Sequence, residues 1–532
     1  MSLRACDAIV IGAGHNGLVA SAILAGAGLR TLVLERAVEI GGCVVTSEIA
    51  PGYRCPLLTH RAGLDPLVVR SLRLASSGLE IIRPEARATA PTVDGRALTL
   101  WSDVALASAD VARFSAKDAD RYPAFLSSVT AVTRVLRTVL SAAPPDIDQP
   151  GAADVVAAFT TVRQFRALGR KDAYRLLRWL TMPVADFASE WFDSEPLRAT
   201  IAAGGLLGSF LGPRSAGSAA VLLLLASQDG HPIAPGWTAR GGIGAVSTAL
   251  AGAARQAGAT IRTGADVRRI LVDDGRATGV ALATGEEIPA RLVLSSLDPR
   301  HTLLSLVDPG RLPPGFLRHV EQIRMRGTLA KVNYAVATLP AFPGLQSLAP
   351  DRRQAALTGC IRLARHTDAI ERAFDCAKYG RFADEPWIEL AIPSIADPAL
   401  APRGHHVVSA YVQFAPFDLR GTDWDVERQR LGDVTTNTID RYSPGFKRSI
   451  VGQQVITPLD LERRWGLTGG HVFHGELSLD QLVVARPLLG WARYRTPLRH
   501  LYLCGSGTHP GIGVDGRPGL LAARTAISET WR

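Results

Sequence analysis

An α/β fold is predicted for this chain of 532 residues: a parallel sheet assembled from three separated stretches, with an α+β domain interleaved between them. Three observations carry the prediction. A strand, a glycine-rich turn and a helix stand in register from Asp7 to Gly42. A helix, a β-hairpin and a buried strand follow one another from Trp237 to Asp298. A strand, a run of small residues and a helix occupy Arg486 to Ile527.

Ala8 to Ile11 is a short apolar run, as expected of a strand buried on both faces of a parallel sheet. It leads into Gly12-Ala13-Gly14-His15-Asn16-Gly17, which matches G-x-G-x-x-G. Leu18 to Ala27 reads as an Ala-rich helix ended by Gly28, and Leu32 to Leu34 as a second strand closed by Glu35 and Arg36. Gly12 makes the tight turn, Gly14 lets the backbone approach a pyrophosphate, and Gly17 lets the helix pack close on the strand. The helix N-terminus offers N–H groups and partial positive charge to phosphates. His15 and Asn16 belong to that turn, His15 serving its structure by position. Glu35, 21 residues beyond Gly14, is placed for ribose hydroxyls. An acid rather than an arginine there argues against NADP.

Six residues after Glu35 comes Gly41-Gly42, then Cys43 and Thr46. This E-x5-G-G-x3-T continuation resembles the FAD-dependent group that contains amine oxidases and carotenoid desaturases. There the glycine pair lets the chain pass close to the FAD pyrophosphate. Many members carry Arg after the pair, and Cys43 stands in its place, so that phosphate contact does not carry over.

In the middle stretch, Gly241-Gly242-Ile243-Gly244 opens a helix to about Ala257. Ala259 to Arg262 and Val267 to Val272 read as strands, Asp274-Gly275 as a hairpin turn, Thr278 to Ala283 as the return, and Leu292 to Ser295 as a buried strand. No strand is expected before Gly241, only Pro235, Gly236 and Trp237, so no separate nicotinamide domain is predicted. Val267 resembles the position that brackets adenine in the FAD group. In the last stretch Leu501 to Leu503 is a strand, and Cys504-Gly505-Ser506-Gly507-Thr508 a turn of small residues. Gly511, Gly513, Gly516 and Gly519 then lead into a helix from about Leu520. Small residues such as Gly505, Ser506, Gly513 and Val514 allow backbone to lie against a flat ring. A helix N-terminus near Val514 to Gly519 suits negative charge on a reduced flavin.

Together with "TPLDLERRWGLTGGHVFHGELSLDQ" (457–481) and "LYLCGSGTHPGIGV" (501–514), these stretches resemble the phytoene-desaturase-related FAD oxidoreductases. The branch is that of desaturase-type carotenoid ketolases and pyridine nucleotide-disulphide oxidoreductase-domain proteins. The resemblance implies a Rossmann-like FAD domain of glutathione-reductase/amine-oxidase type, in parts 1–78, 237–300 and 481–532. It leaves 79–236 and 301–480 to the substrate domain, with a helical subdomain from about 110 to 211. It implies hydride removal from an apolar, conjugated or isoprenoid-like substrate to flavin N5. The alternative is an oxidase or redox-neutral isomerase acting on a polyene or amine metabolite. A prenyl-binding escort of the same fold predicts degraded phosphate glycines, and Gly12, Gly14 and Gly17 are intact.

Composition narrows the remaining classes. A net charge of +10 invites a nucleic-acid reading, but only five of 59 basic residues are Lys and the arginines are scattered, so no phosphate-binding stripe is expected. The densest basic run, Arg163 to Arg178, mixes Arg with apolar positions and suits peripheral contact with an anionic membrane. "AAVLLLLA" (219–226) is far below the roughly 20 residues of a membrane span and reads as a core or tunnel-lining helix. Six cysteines without C-x-x-C spacing predict free thiols and a cytoplasmic protein without a metal site. Candidate proton-transfer residues are His60 and His231, with His474, Asp480 and His509 as further pocket candidates. Oligomeric state is not legible.

Overall fold

Strand Glu287–Ser295 is where the three distant stretches of the chain meet. Ser295 lies opposite Ile11 on one side and Leu503 on the other, both in parallel pairs. The computed structural model describes residues 6–147, 149–234 and 236–530. The first sheet has seven strands, in the order Val267–Asp273, Arg276–Leu282, Glu287–Ser295, Cys6–Ile11, Thr31–Leu34 and Thr260–Arg262, with Leu501–Leu503 also on Glu287–Ser295. Sequence reading saw only the last four residues of Glu287–Ser295. Its first half alternates exposed and buried residues, beside the antiparallel hairpin, and so lacks the continuous apolar run of a fully buried strand.

Helices His15–Gly26, Gly244–Gln256 and Arg517–Thr530 cover one face of this sheet, sharing a core with Val10, Val33, Leu292 and Leu294. The first begins three residues earlier than the apolar pattern suggests. Gly14 is its N-cap and its carbonyl already accepts the Leu18 N–H at 2.9 Å. The last begins at Arg517 rather than Leu520, because Pro518 is tolerated in a first turn. A two-residue strand, Thr238–Ala239, does precede Gly241, contrary to expectation. It pairs antiparallel with Ile81–Ile82, outside the parallel sheet, so it builds no second dinucleotide unit. Pro235 lies outside the described residues.

The second sheet also has seven strands, in the order Ile450–Ile456, Leu329–Val336, His406–Gln413, Trp387–Ala391, Cys360–Leu363, Ala86–Pro91 and Ala97–Trp101. All of its pairs are antiparallel except Cys360–Leu363 with Ala86–Pro91. Strand period sorts its side chains. Ala330, Val332, Tyr334 and Val336 join the largest apolar core, while Lys331 and Asn333 take the opposite face. Helices run from Val104–Ala112 to Glu195–Ala203, starting some six residues before the expected subdomain. The longest, Ala116–Leu140, packs Tyr122, Phe125 and Val129 inward. Helix Ser218–Ala226 is apolar all round and buried except at Leu225, which reaches a cavity. Among the described residues no helix is long and apolar enough to cross a membrane, and no group of His, Cys, Asp or Glu is arranged to hold a metal ion.

Candidate active site

A cavity of about 500 Å³ runs between the two sheets, from the G-x-G-x-x-G turn to the polar face of the second sheet. Its first end is a cradle of backbone. Gly12 (φ +90) makes the turn, and a Cβ there would meet Ser296 Oγ at 2.5 Å. Gly14 has no atom within 4 Å of an added Cβ, so a side chain would project into open space. Gly42 (φ +57) lies across from it, where an added Cβ would come 3.3 Å from the Gly14 Cα. The Gly41 N–H donates to the Ala13 carbonyl at 2.9 Å and holds the two turns together. The helix from His15 has no side-chain cap, which leaves its first N–H groups to a ligand.

Glu35 lines this end, accepting the Ala13 N–H at 2.7 Å and the Ala37 N–H at 2.9 Å. These bonds fix the carboxylate at the strand end while leaving lone pairs for hydroxyls. Asn16 donates to Ser506 Oγ at 3.0 Å, tying the first turn to the last. Three cavity-lining side chains carry buried polar atoms without a partner: Asn16 Oδ1, His15 Nε2 and His474 Nδ1. Such orphans are costly unless a ligand meets them. Burial draws the His15 pKa down to about 4 and also lowers that of His474, so both imidazoles are neutral at pH 7. His474 further sits at φ 56, a left-handed backbone that non-glycine residues rarely adopt. This donor set fits a dinucleotide with flavin: a glycine cradle, an acid, an uncapped helix start and a small-residue loop at Ser506, Gly513 and Val514.

Of the residues singled out from sequence, Gly12, Gly14, His15, Asn16, Glu35, Arg36, Gly42, Cys43, Val267, Ser506, Gly513 and Val514 line the cavity. Four stand behind its wall. A Cβ on Gly17 would come 2.1 Å from the Gly12 carbonyl oxygen, and one on Gly505 2.4 Å from that of Ser296, so both serve close packing. Gly41 makes a turn at φ +120, and Thr46 Oγ1 accepts the Gly244 N–H at 2.9 Å. The helix Arg517–Thr530 does not offer an open N-terminus. Asp515 accepts the Arg517 N–H at 3.0 Å, and burial raises the Asp515 pKa to about 6.

Neither candidate histidine lines the cavity. His60 stands behind the wall, its ring centroid 4.5 Å from that of Tyr411 and its Nε2 3.7 Å from Glu389 Oε1, and burial holds its pKa at about 3. His231 accepts the Ile233 N–H at 3.1 Å within its own loop. His509 is buried outside the cavity, and Asp480 pairs with Arg324 at 2.6 Å on the outside.

Sequence reading missed the polar row on the second sheet. Lys331, Tyr411, Glu389 and Arg362 are successive cross-strand neighbours over four strands. Tyr411, Glu389 and Arg362 line the cavity, together with Arg61 from the segment after strand Tyr53–Pro56. Glu389 accepts from Arg61 at Oε1 and from Arg362 Nε at Oε2, the latter at 2.9 Å. Burial pushes its pKa up, but the two guanidiniums more than offset this and hold it well below the carboxylate range. Burial lowers the Lys331 pKa to about 7 and raises that of Tyr411 to about 12. The signal was available: polar residues stand at alternate positions inside apolar strands, as in "LAKVNYAV" and "VVSAYVQF".

Comparisons with known proteins give the family and the fold. The family model described as flavin containing amine oxidoreductase matches residues 192–526, and that of the NAD(P)-binding Rossmann-like domain matches residues 10–63. The pyridine nucleotide-disulfide oxidoreductase domain-containing protein 2 of Rattus norvegicus is 39% identical over 544 residues, spanning 98% of this chain and 93% of its own. A phytoene desaturase (lycopene-forming) of Pseudescherichia vulneris is 26% identical, spanning 98% of both chains. Among solved structures, an oxidoreductase from Methanosarcina mazei shares the fold with a TM-score of 0.61 at 16% identity, over 98% of this chain and all of its own.

Proposed function

The chain belongs to the flavin-containing amine oxidoreductase family and is an FAD-dependent oxidoreductase; within that class we propose a desaturase or dehydrogenase of an apolar, isoprenoid-like or conjugated substrate. The observation that carries this reading is the continuity of one cavity, from the glycine cradle to walls of Leu207, Leu225, Leu329, Val472 and Phe473. We assign the pyrophosphate to Gly12, Gly14 and Gly42, the ribose to Glu35, the adenine side to Val267, and the flavin side to Ser506, Gly513 and Val514. FAD, when bound, supplies the two-electron acceptor. The chain's own residues orient the substrate and exclude water from it. With both candidate histidines outside the cavity, the imidazoles that line it are His15, His301 and His474, and we take His474 and Tyr411 as the candidates for proton transfer. An amine substrate fits less well, because the lining acid Glu389 is already held by two guanidiniums rather than open to a cation.

An absorption spectrum of the purified holoprotein tests this reading. Anaerobic addition of a polyene should bleach the flavin bands and yield a product two hydrogens lighter. Persistent colour, or a product of unchanged mass, would overturn it in favour of isomerisation.

Delivery of such a substrate suits a membrane surface. Helices Ala152–Ala167 and Gly169–Trp179 expose Val155, Val156, Phe159, Val162, Tyr174 and Leu177 beside exposed Arg163, Arg166, Arg170 and Lys171. Apolar side chains in water flanked by cations fit an interfacial helix on anionic lipid. The free cysteines fit a reducing compartment such as the cytoplasm, where we place the enzyme.

A further inference from the structure

We propose that the end of the cavity at the second sheet is an anion subsite that takes a carboxylate on an otherwise apolar substrate, an inference that rests on the desaturase reading above. Charge at this buried end does not balance. Arg61 and Arg362 both point at Glu389, so two guanidiniums meet one carboxylate. Arg362 spends a further N–H on the Thr200 carbonyl, which fixes its plane. Among the described residues no other acid pairs with either guanidinium. Asp229, which also feels Arg61, is engaged by Arg87 at 2.6 Å. His60 is neutral, Tyr411 is a phenol, and the nearby thiols of Cys55 and Cys360 are held protonated by burial. Lys331, behind Tyr411, adds positive charge whenever it is protonated.

Two guanidiniums share one carboxylate, so the site keeps one positive charge more than its protein acids neutralise, and it faces an apolar cavity. A buried positive charge that is not fully neutralised is unfavourable, and a ligand that neutralises it relieves that penalty. The planar guanidinium fork matches a carboxylate better than it matches a hydroxyl or a hydrocarbon. The walls leading away from Arg61 are Leu57, Leu58, Leu207 and Leu225. The substrate class follows: a hydrophobic chain, conjugated or isoprenoid, ending in an acid.

Equilibrium binding to the holoprotein tests this, with all-trans-retinoate and all-trans-retinol as probes, since they share one polyene chain and differ at its end. Retinoate should bind at least tenfold tighter to the wild type. Arg61→Gln leaves Arg362 and Glu389 balanced and should abolish the preference. The double variant Arg61→Gln/Glu389→Gln restores one net positive charge and should restore the preference. It also keeps the question answerable if the single variant does not fold. Equal affinity of the wild type for both probes, or no recovery in the double variant, would overturn the subsite. So would tighter binding of retinyl phosphate than of retinoate. The two readings fail separately. If neutral polyenes bleach the flavin with no carboxylate preference, the subsite falls and the desaturase reading stands. If retinoate binds selectively and no polyene ever reduces the flavin, the reverse holds.

Discussion

Lys331 stands directly opposite Tyr411 across the strand pair Leu329–Val336 and His406–Gln413, its ammonium 4.2 Å from the centre of the phenol ring. The ammonium also donates to Ser409 Oγ, and the side chain is only 1% exposed. A lysine in such a place is a pH-dependent cost. Its folded pKa, about 7, lies below the ordinary 10.5. Between those two values the unfolded chain holds the proton and the folded chain does not, so raising the pH through this window stabilises the fold. Lys331→Met should accordingly gain most over the wild type at or below pH 7 and lose that advantage toward pH 10. Thermal unfolding of both proteins at several pH values reads this directly, and a pH-independent difference would reject the buried, depressed lysine.

Two glycines of one motif should fail in different ways. Gly14 has φ −71 and open space where a Cβ would go, so Gly14→Val should leave the apoprotein as stable as the wild type and abolish FAD retention. In Gly17→Ala the new methyl would lie 2.1 Å from the Gly12 carbonyl oxygen, and the fold itself should lose roughly 1–3 kcal/mol. Flavin content at 450 nm and apoprotein melting, measured side by side, separate the two effects.

Asp118, fully buried on helix Ala116–Leu140, accepts the N–H groups of Asp193 at 2.9 Å and Ser194 at 2.7 Å. Those donors begin helix Glu195–Ala203, whose N-cap Ser194 makes no side-chain cap. Asp118→Ala orphans both and should cost roughly 2–4 kcal/mol, seen as a lower denaturation midpoint. Asp118→Asn keeps one acceptor and should cost less.

The exposed helix pair Ala152–Ala167 and Gly169–Trp179 gives the membrane reading its own test. Val156→Glu with Phe159→Glu changes only exposed positions, 66% and 70% accessible, so stability should hold within about 0.5 kcal/mol. Flotation with phosphatidylglycerol-containing vesicles should fall severalfold relative to the wild type. Unchanged flotation would remove these two helices as the docking element.

Most strands of the first sheet and the glycine turn that lines the cavity were legible in the sequence. Both depend on short-range chemistry: Gly12, Gly14 and Gly17 sit within a few residues of the strand and helix they join, and Glu35 follows at the end of the next strand. Local period and glycine spacing encode such units directly. The second sheet was different. Lys331, Glu389, Arg362 and Tyr411 are separated by tens of residues, each a lone polar side chain in an apolar strand, and nothing local reveals that register aligns them in one row. That register, set by antiparallel pairing over long separations, decided which polar residues share a face, and the segment after Tyr53–Pro56 brings Arg61 onto Glu389. It also set His60 behind Tyr411 and Glu389, outside the cavity, while His231 is held in its own loop by Asp229 and Ile233.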